Sequence, residues 1–211
     1  MANQALLDIQ AMLRKELERK SETMPAISGG DRVKLAGKVF SLPDGTSSEG
    51  PLGVIILDER YVNTYYAGKY NSNNPVAPEC SAQSDNANEM KPSTASSDPQ
   101  HESCDGCPQN EYPDSGGGKP CKNGIRLAII PADATADSSI LMVDISPTGL
   151  KGYVTYMKAL KAQGVLPIQV LTDLSFDPQA SYPKLVFGNP RPHNLLEIAW
   201  PLREKAQKLL K

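Results

Sequence analysis

With 211 residues, the chain is long enough for one sizeable domain or for a core with a small satellite. Its hydrophobic content of 39% and aromatic content of 6% are lean for a single packed core, so part of the chain is expected to lie outside one. A net charge of −2 gives no whole-chain reason to expect nucleic acid or an anionic membrane, and no apolar run approaches the roughly 18 residues of a membrane span.

In chain order, residues 1–28 come first as an expected N-terminal helix, with Leu6, Ile9, Leu13 and Leu17 in a narrow apolar stripe. The surrounding residues are polar and alternately charged, unlike a secretory leader, so a cytoplasmic location is expected. Val33, Leu35, Gly37 and Val39 then alternate with Arg32, Lys34, Ala36, Lys38 and Phe40, which is the period of a half-buried strand. Pro43-Asp44-Gly45 marks a turn. Residues 52–57 are a continuous apolar run, as in a strand covered on both faces, and 61–66 form a second strand rich in Tyr, Val and Thr.

Residues 71–124 differ in kind. They hold three basic and eight acidic side chains, all four cysteines and seven of the 18 prolines, with Val76, Met90 and Tyr112 as almost the only apolar groups. Such a segment cannot offset its ordering entropy by burial, so something other than a core must order it. Its net charge of −5 sits beside +3 for residues 125–211 and zero for 1–70. The chain average therefore conceals a basic remainder.

Beyond the insertion, 125–130 and 140–145 read as strands. Ser146 is placed as an N-cap with Pro147 at the first helical position, and Gly164 is placed to end that helix. Leu150, Tyr153, Val154, Met157 and Leu160 recur at helical spacing between them. Residues 168–174 and 184–187 follow as strands. Residues 191–211 close the chain as a helix that Pro201 should kink or start. Five to seven short strands and a mid-chain helix predict a mainly β, α+β fold. The expected form is an OB-like antiparallel barrel made of 29–70 and 125–190, interrupted by 71–124, with a two-layer α+β sandwich as the rival.

Cys80, Cys104, Cys107 and Cys121 are spaced C-x23-C-x2-C-x13-C. The two-residue gap forms a knuckle that points two thiolates at one ion, and two further cysteines complete the tetrahedral set of a structural zinc site. In a chain without an export signal, metal is favoured over disulfides. His101 lies near enough in sequence to replace one cysteine, and Cys107-Pro108 gives an iron–sulfur cluster some weight.

Binding single strands takes cationic groups for phosphates and aromatic faces for bases. Lys34, Lys38, Lys69, Lys122 and Arg126 are candidates for the first role, and Phe40, Tyr61 and Tyr65 for the second. Catalytic signals are weak. The chain has two histidines, His101 and His193, and lacks a Walker motif or a nucleophile elbow. Asp58, Glu59, Asp144 and Asp173, at strand ends, are the material for a two-metal nuclease site, which is the less favoured reading.

Three blocks carry a family resemblance. They are Gly30-Asp31-Arg32-Val33-Lys34 leading to Leu42-Pro43-Asp44-Gly45, then Ser103-Cys104-Asp105-Gly106-Cys107-Pro108 with Gly118-Lys119-Pro120-Cys121, and finally Val143-Asp144-Ile145-Ser146-Pro147-Thr148-Gly149-Leu150. Together they resemble an uncharacterised set of tailed-bacteriophage replication-region proteins, itself similar to zinc-containing OB-fold single-stranded DNA-binding proteins. The resemblance implies a non-catalytic protein of phage DNA replication or recombination in the host bacterial cytoplasm. Its expected partners are single-stranded DNA and possibly replication proteins. The alternative is a protein-interaction module that docks on a replication or transcription enzyme through the metal-clipped insertion and the terminal helices.

Overall fold

The structure, a computed structural model, describes residues 31–68 and 76–211, together with Ile9, Met12, Leu13 and Lys15, which are helical. The remainder of the expected N-terminal helix, and Lys69, lie outside the described residues. Asp31–Lys211 constitute one unit of the fold, so the cysteine-bearing insertion and the strands around it belong together.

Among the described residues there are ten strands: β1 (Asp31–Arg32), β2 (Lys34–Ala36), β3 (Val39–Ser41), β4 (Ser47–Ser48), β5 (Leu52–Tyr65), β6 (Cys80–Ser84), β7 (Lys122–Pro131), β8 (Leu141–Ile145), β9 (Val170–Phe176) and β10 (Leu185–Pro192). The main sheet runs β1-β8-β7-β5-β9-β10, with β6 also on β5, while β2-β3-β4 form a separate small sheet. Only β1–β8 is parallel, so the main sheet is mixed. It does not close, because β1 and β10 end it as edges. Asp31–Lys211 is mainly β with two helices, consistent with the expected α+β class, but the OB-like barrel is not what forms.

The organising strand is β5. The two runs read separately in sequence, 52–57 and 61–66, join into one 14-residue strand. On one side it pairs with β7 along most of its length. On the other it holds β9 at Leu52–Val54 and β6 at Tyr61–Tyr65. A bulge at Leu57, between the Ile56↔Ile129 and Asp58↔Ala128 pairs, resets which residues face which side.

Each face of the sheet carries a helix, α1 (Leu150–Ala162) on one and α2 (Leu196–Leu209) on the other. Alternate residues of the apolar runs feed separate cores. Val54, Ile56, Leu127, Ile129 and Val143 pack with Tyr153, Tyr156 and Leu160 of α1. Ile55, Leu57, Ala128, Ile130 and Met142 pack with Ala199, Leu202 and Ala206 of α2. The unbroken apolar stretches are thus the signature of a sheet buried twice. The small sheet adds Phe40 to the core on the α1 side, fully buried and stacked on Phe176 with ring centroids 4.3 Å apart.

Three local expectations change. Residues 32–40 are not one strand, because Gly37 (φ 58°) and Lys38 (φ 62°) are both left-handed and fold the chain into a tight hairpin between β2 and β3. Helix α1 begins at Leu150 with Gly149 as its cap, since Ser146-Pro147-Thr148 form a turn ahead of it. Helix α2 runs through Pro201, which lies on its exposed side, and is neither started nor ended there.

Candidate metal centre and nucleic-acid interface

The four cysteines come from three places in the chain. Cys80 opens β6, Cys104 and Cys107 flank a turn in which Gly106 takes φ 72°, and Cys121 immediately precedes β7. Backbone bonds hold the turn: Cys104 N–H donates to Met90 O (3.0 Å), Asn110 N–H to Cys107 O (2.8 Å) and Cys121 N–H to Gln109 O (2.7 Å). All four side chains line a single cavity of about 10 Å³, beside Asn63, Tyr65 and His101. Cys80, Cys107 and Cys121 are buried. Burial, and then the crowding of Cys104, Cys107 and Cys80, pushes the Cys121 thiol up to about 11, and burial raises Cys104 as well.

Four thiols are the donor type that a soft ion takes. Asn63 is almost fully buried, accepts a 2.7 Å bond from Asn123 Nδ2 on its Oδ1, and its amide offsets part of the burial that raises the Cys104 thiol. A polar amide near sulfur favours the thiolate that a metal needs. Among the described residues, though, no three His, Cys, Asp or Glu side chains already stand at coordinating geometry. The thiols share a cavity without converging on a point.

Next to this cavity lies a groove. Past the Leu57 bulge, β5 turns Glu59, Tyr61, Asn63 and Tyr65 toward the α1 face, and β7 places Ile125 and Asn123 opposite Tyr61 and Asn63. Between these strands and α1 opens a hollow of about 600 Å³, lined by Glu59, Tyr61, Ile125, Tyr153, Val154, Met157, Lys158 and Lys161. It shares Tyr61, Ile125 and Val154 with a second hollow of about 400 Å³, which is edged by the amides of Asn63, Asn88, Asn110 and Asn123 and also by Cys104. Asn63, Cys104 and Asn110 line the thiol cavity as well, so metal cavity and groove have a common wall. Helix α1 contributes Lys151, Lys158 and Lys161 and carries no acidic residue.

One carboxyl group lies in this groove. Glu59 Oε2 accepts the Tyr153 hydroxyl, and no cation pairs with Glu59 among the described residues. Burial is the main cause that raises its pKa. The same burial, with Glu59 beside it, raises the Tyr153 phenol.

The residues read from sequence as DNA contacts do not form one surface. Tyr61 and Tyr65 share the α1 face, Tyr61 in the groove and Tyr65 against the cysteines. Lys122 and Arg126 lie on the opposite face, where Arg126 bonds Asp144 (2.8 Å) together with Arg32 (2.6 Å), and Lys122 donates to Lys119 O (2.7 Å). Lys34 is exposed on β2, and Lys38 donates to Pro178 O (3.0 Å). Phe40 is buried in the core, because Leu35 and Phe40 face each other across the hairpin, so it offers no face to a base. Lys69 lies outside the described residues.

The carboxylates considered for a two-metal site are also dispersed. Asp58 pairs with Arg203 of α2 (3.2 Å), Asp144 with Arg32 and Arg126, and Asp173, midway along β9, with Arg191 (2.8 Å), while Glu59 faces the other way. No protein family, curated protein or solved structure matches the chain. Sequence reasoning missed Lys158, Lys161 and the asparagines, and took Glu59 only as material for a two-metal site. The acid-free lysines of α1 were visible in the sequence, whereas nothing there marked Asn63 or Asn123 as neighbours.

Proposed function

We propose that the protein binds single-stranded DNA without catalysis, the strand lying in the groove beside α1, in a phage replication or recombination setting of the kind the family resemblance implies. The observation that carries this reading is the combination of a half-exposed aromatic floor, Tyr61, with Lys158 and Lys161 on the rim of one open hollow. Bases stack on Tyr61 and on the apolar wall of Val154 and Met157, and the lysines meet phosphates. The four cysteines hold one Zn²⁺ that braces the groove wall formed by Asn63, Cys104 and Asn110. Titration of a labelled oligothymidine at low salt tests the reading. Saturable binding that weakens as salt rises is expected, and absence of binding at low salt would end it.

A second reading rests on α2. Leu196 and Trp200, one turn apart, are exposed at 43% and 55%. That apolar pair favours protein contact by the C-terminal helix, on the face opposite the groove. Loss of a purified replication-enzyme complex in Trp200→Ala, with DNA affinity unchanged, would support this role.

A further inference from the structure

A carboxyl group in a groove for a polyanion needs an explanation. Glu59 cannot face the phosphates, since like charges at close range repel. Its position answers the difficulty. It stands two residues before Tyr61 on the same face of β5, at the floor of the hollow, while Lys158 and Lys161 come from α1. One oxygen, Oε2, is held by the Tyr153 hydroxyl. The other, Oε1, has no hydrogen-bond partner among the described residues and is not sealed from solvent. A fixed acceptor thus opens beside the ring on which a base would stack.

Resting on the groove reading above, we propose that Glu59 is a specificity-determining residue, which selects bases that present an exocyclic amine and disfavours thymine. Cytosine offers its N4 amine to such an acceptor, while thymine presents a carbonyl oxygen at the same place. The ionised carboxylate only accepts, whereas a protonated carboxyl would also donate, so the preference belongs to the ionised form. Tyr153 is a positioning residue that holds the carboxyl in place.

The test compares oligodeoxycytidine with oligothymidine of equal length at pH 8, two pyrimidines of similar stacking surface, by anisotropy titration of the full chain. Tighter binding of oligodeoxycytidine by about threefold to tenfold is expected, the worth of roughly one hydrogen bond. Glu59→Gln, whose amide both donates and accepts, should bring the ratio close to one. Lys158→Ala should weaken both oligomers alike and keep the ratio. Equal affinities in the unaltered protein, or a ratio that survives Glu59→Gln, would overturn the base readout while leaving DNA binding standing. Failure of both oligomers to bind would overturn the groove reading and the readout with it.

Discussion

At the scale of single residues, Glu59 is a largely buried carboxyl group with no cation beside it among the described residues. Its folded pKa is raised by burial, so its contribution to stability is complete below the ordinary value of 4.5 and is lost as the pH rises through the folded value. Glu59→Gln removes that loss. Denaturant unfolding should show the variant gaining stability relative to the unaltered protein between pH 4 and pH 8, and a constant difference across that range would contradict the burial argument. The two aromatic candidates should separate cleanly. Phe40→Ala empties a fully buried site stacked on Phe176 and should cost about 3–5 kcal/mol of stability with little specific effect on DNA affinity in the folded fraction. Tyr61→Ala should leave the fold nearly intact and lower affinity by the roughly 1–3 kcal/mol of one stacked base. The reverse pattern would return Phe40 to the interface.

At the scale of elements, the cysteine segment is ordered by more than its thiols. β6 pairs five residues with β5, Ala82 bridges Pro92, and Met90 is buried at 5% exposure. Zinc should therefore tighten the segment without being needed for the main sheet. Elemental analysis is expected to find one zinc per chain, lost in Cys107→Ser, with amide exchange accelerating in 80–121 and remaining slow in β7 and β8. Iron, or unchanged exchange after metal removal, would contradict this assignment. The apolar runs of β5, β7 and β8 were legible from sequence because both their faces are buried. The hairpin at Gly37-Lys38 was not, since lysine is an unusual residue at positive φ and the alternation around it looks continuous. The bulge at Leu57 was equally hidden. It decides that Glu59 and Tyr61, and not Asp58 and Arg60, face α1, and no local pattern announces a bulge.

At the scale of the whole molecule, strand content and the mid-chain helix could be read from the sequence, but strand order could not, because pairing between distant segments has no local signal. The consequence for function is large. Tyr61 and Arg126, grouped in sequence as one DNA-binding set, lie on opposite faces of an open sheet. The basic surplus of residues 125–211 is likewise divided. Arg126 and Arg191 are paired with Asp144 and Asp173, while Lys158 and Lys161 have no carboxylate partner among the described residues. Those two lysines are the cations that the groove reading depends on most. The most direct measurement is the salt dependence of oligothymidine binding for the unaltered protein and for a Lys158→Ala/Lys161→Ala double variant. The slope of log affinity against log salt should be shallower in the variant by about 1.4, as expected for two lost phosphate contacts on a single strand. An identical slope in the two proteins would place the DNA somewhere other than the groove beside α1.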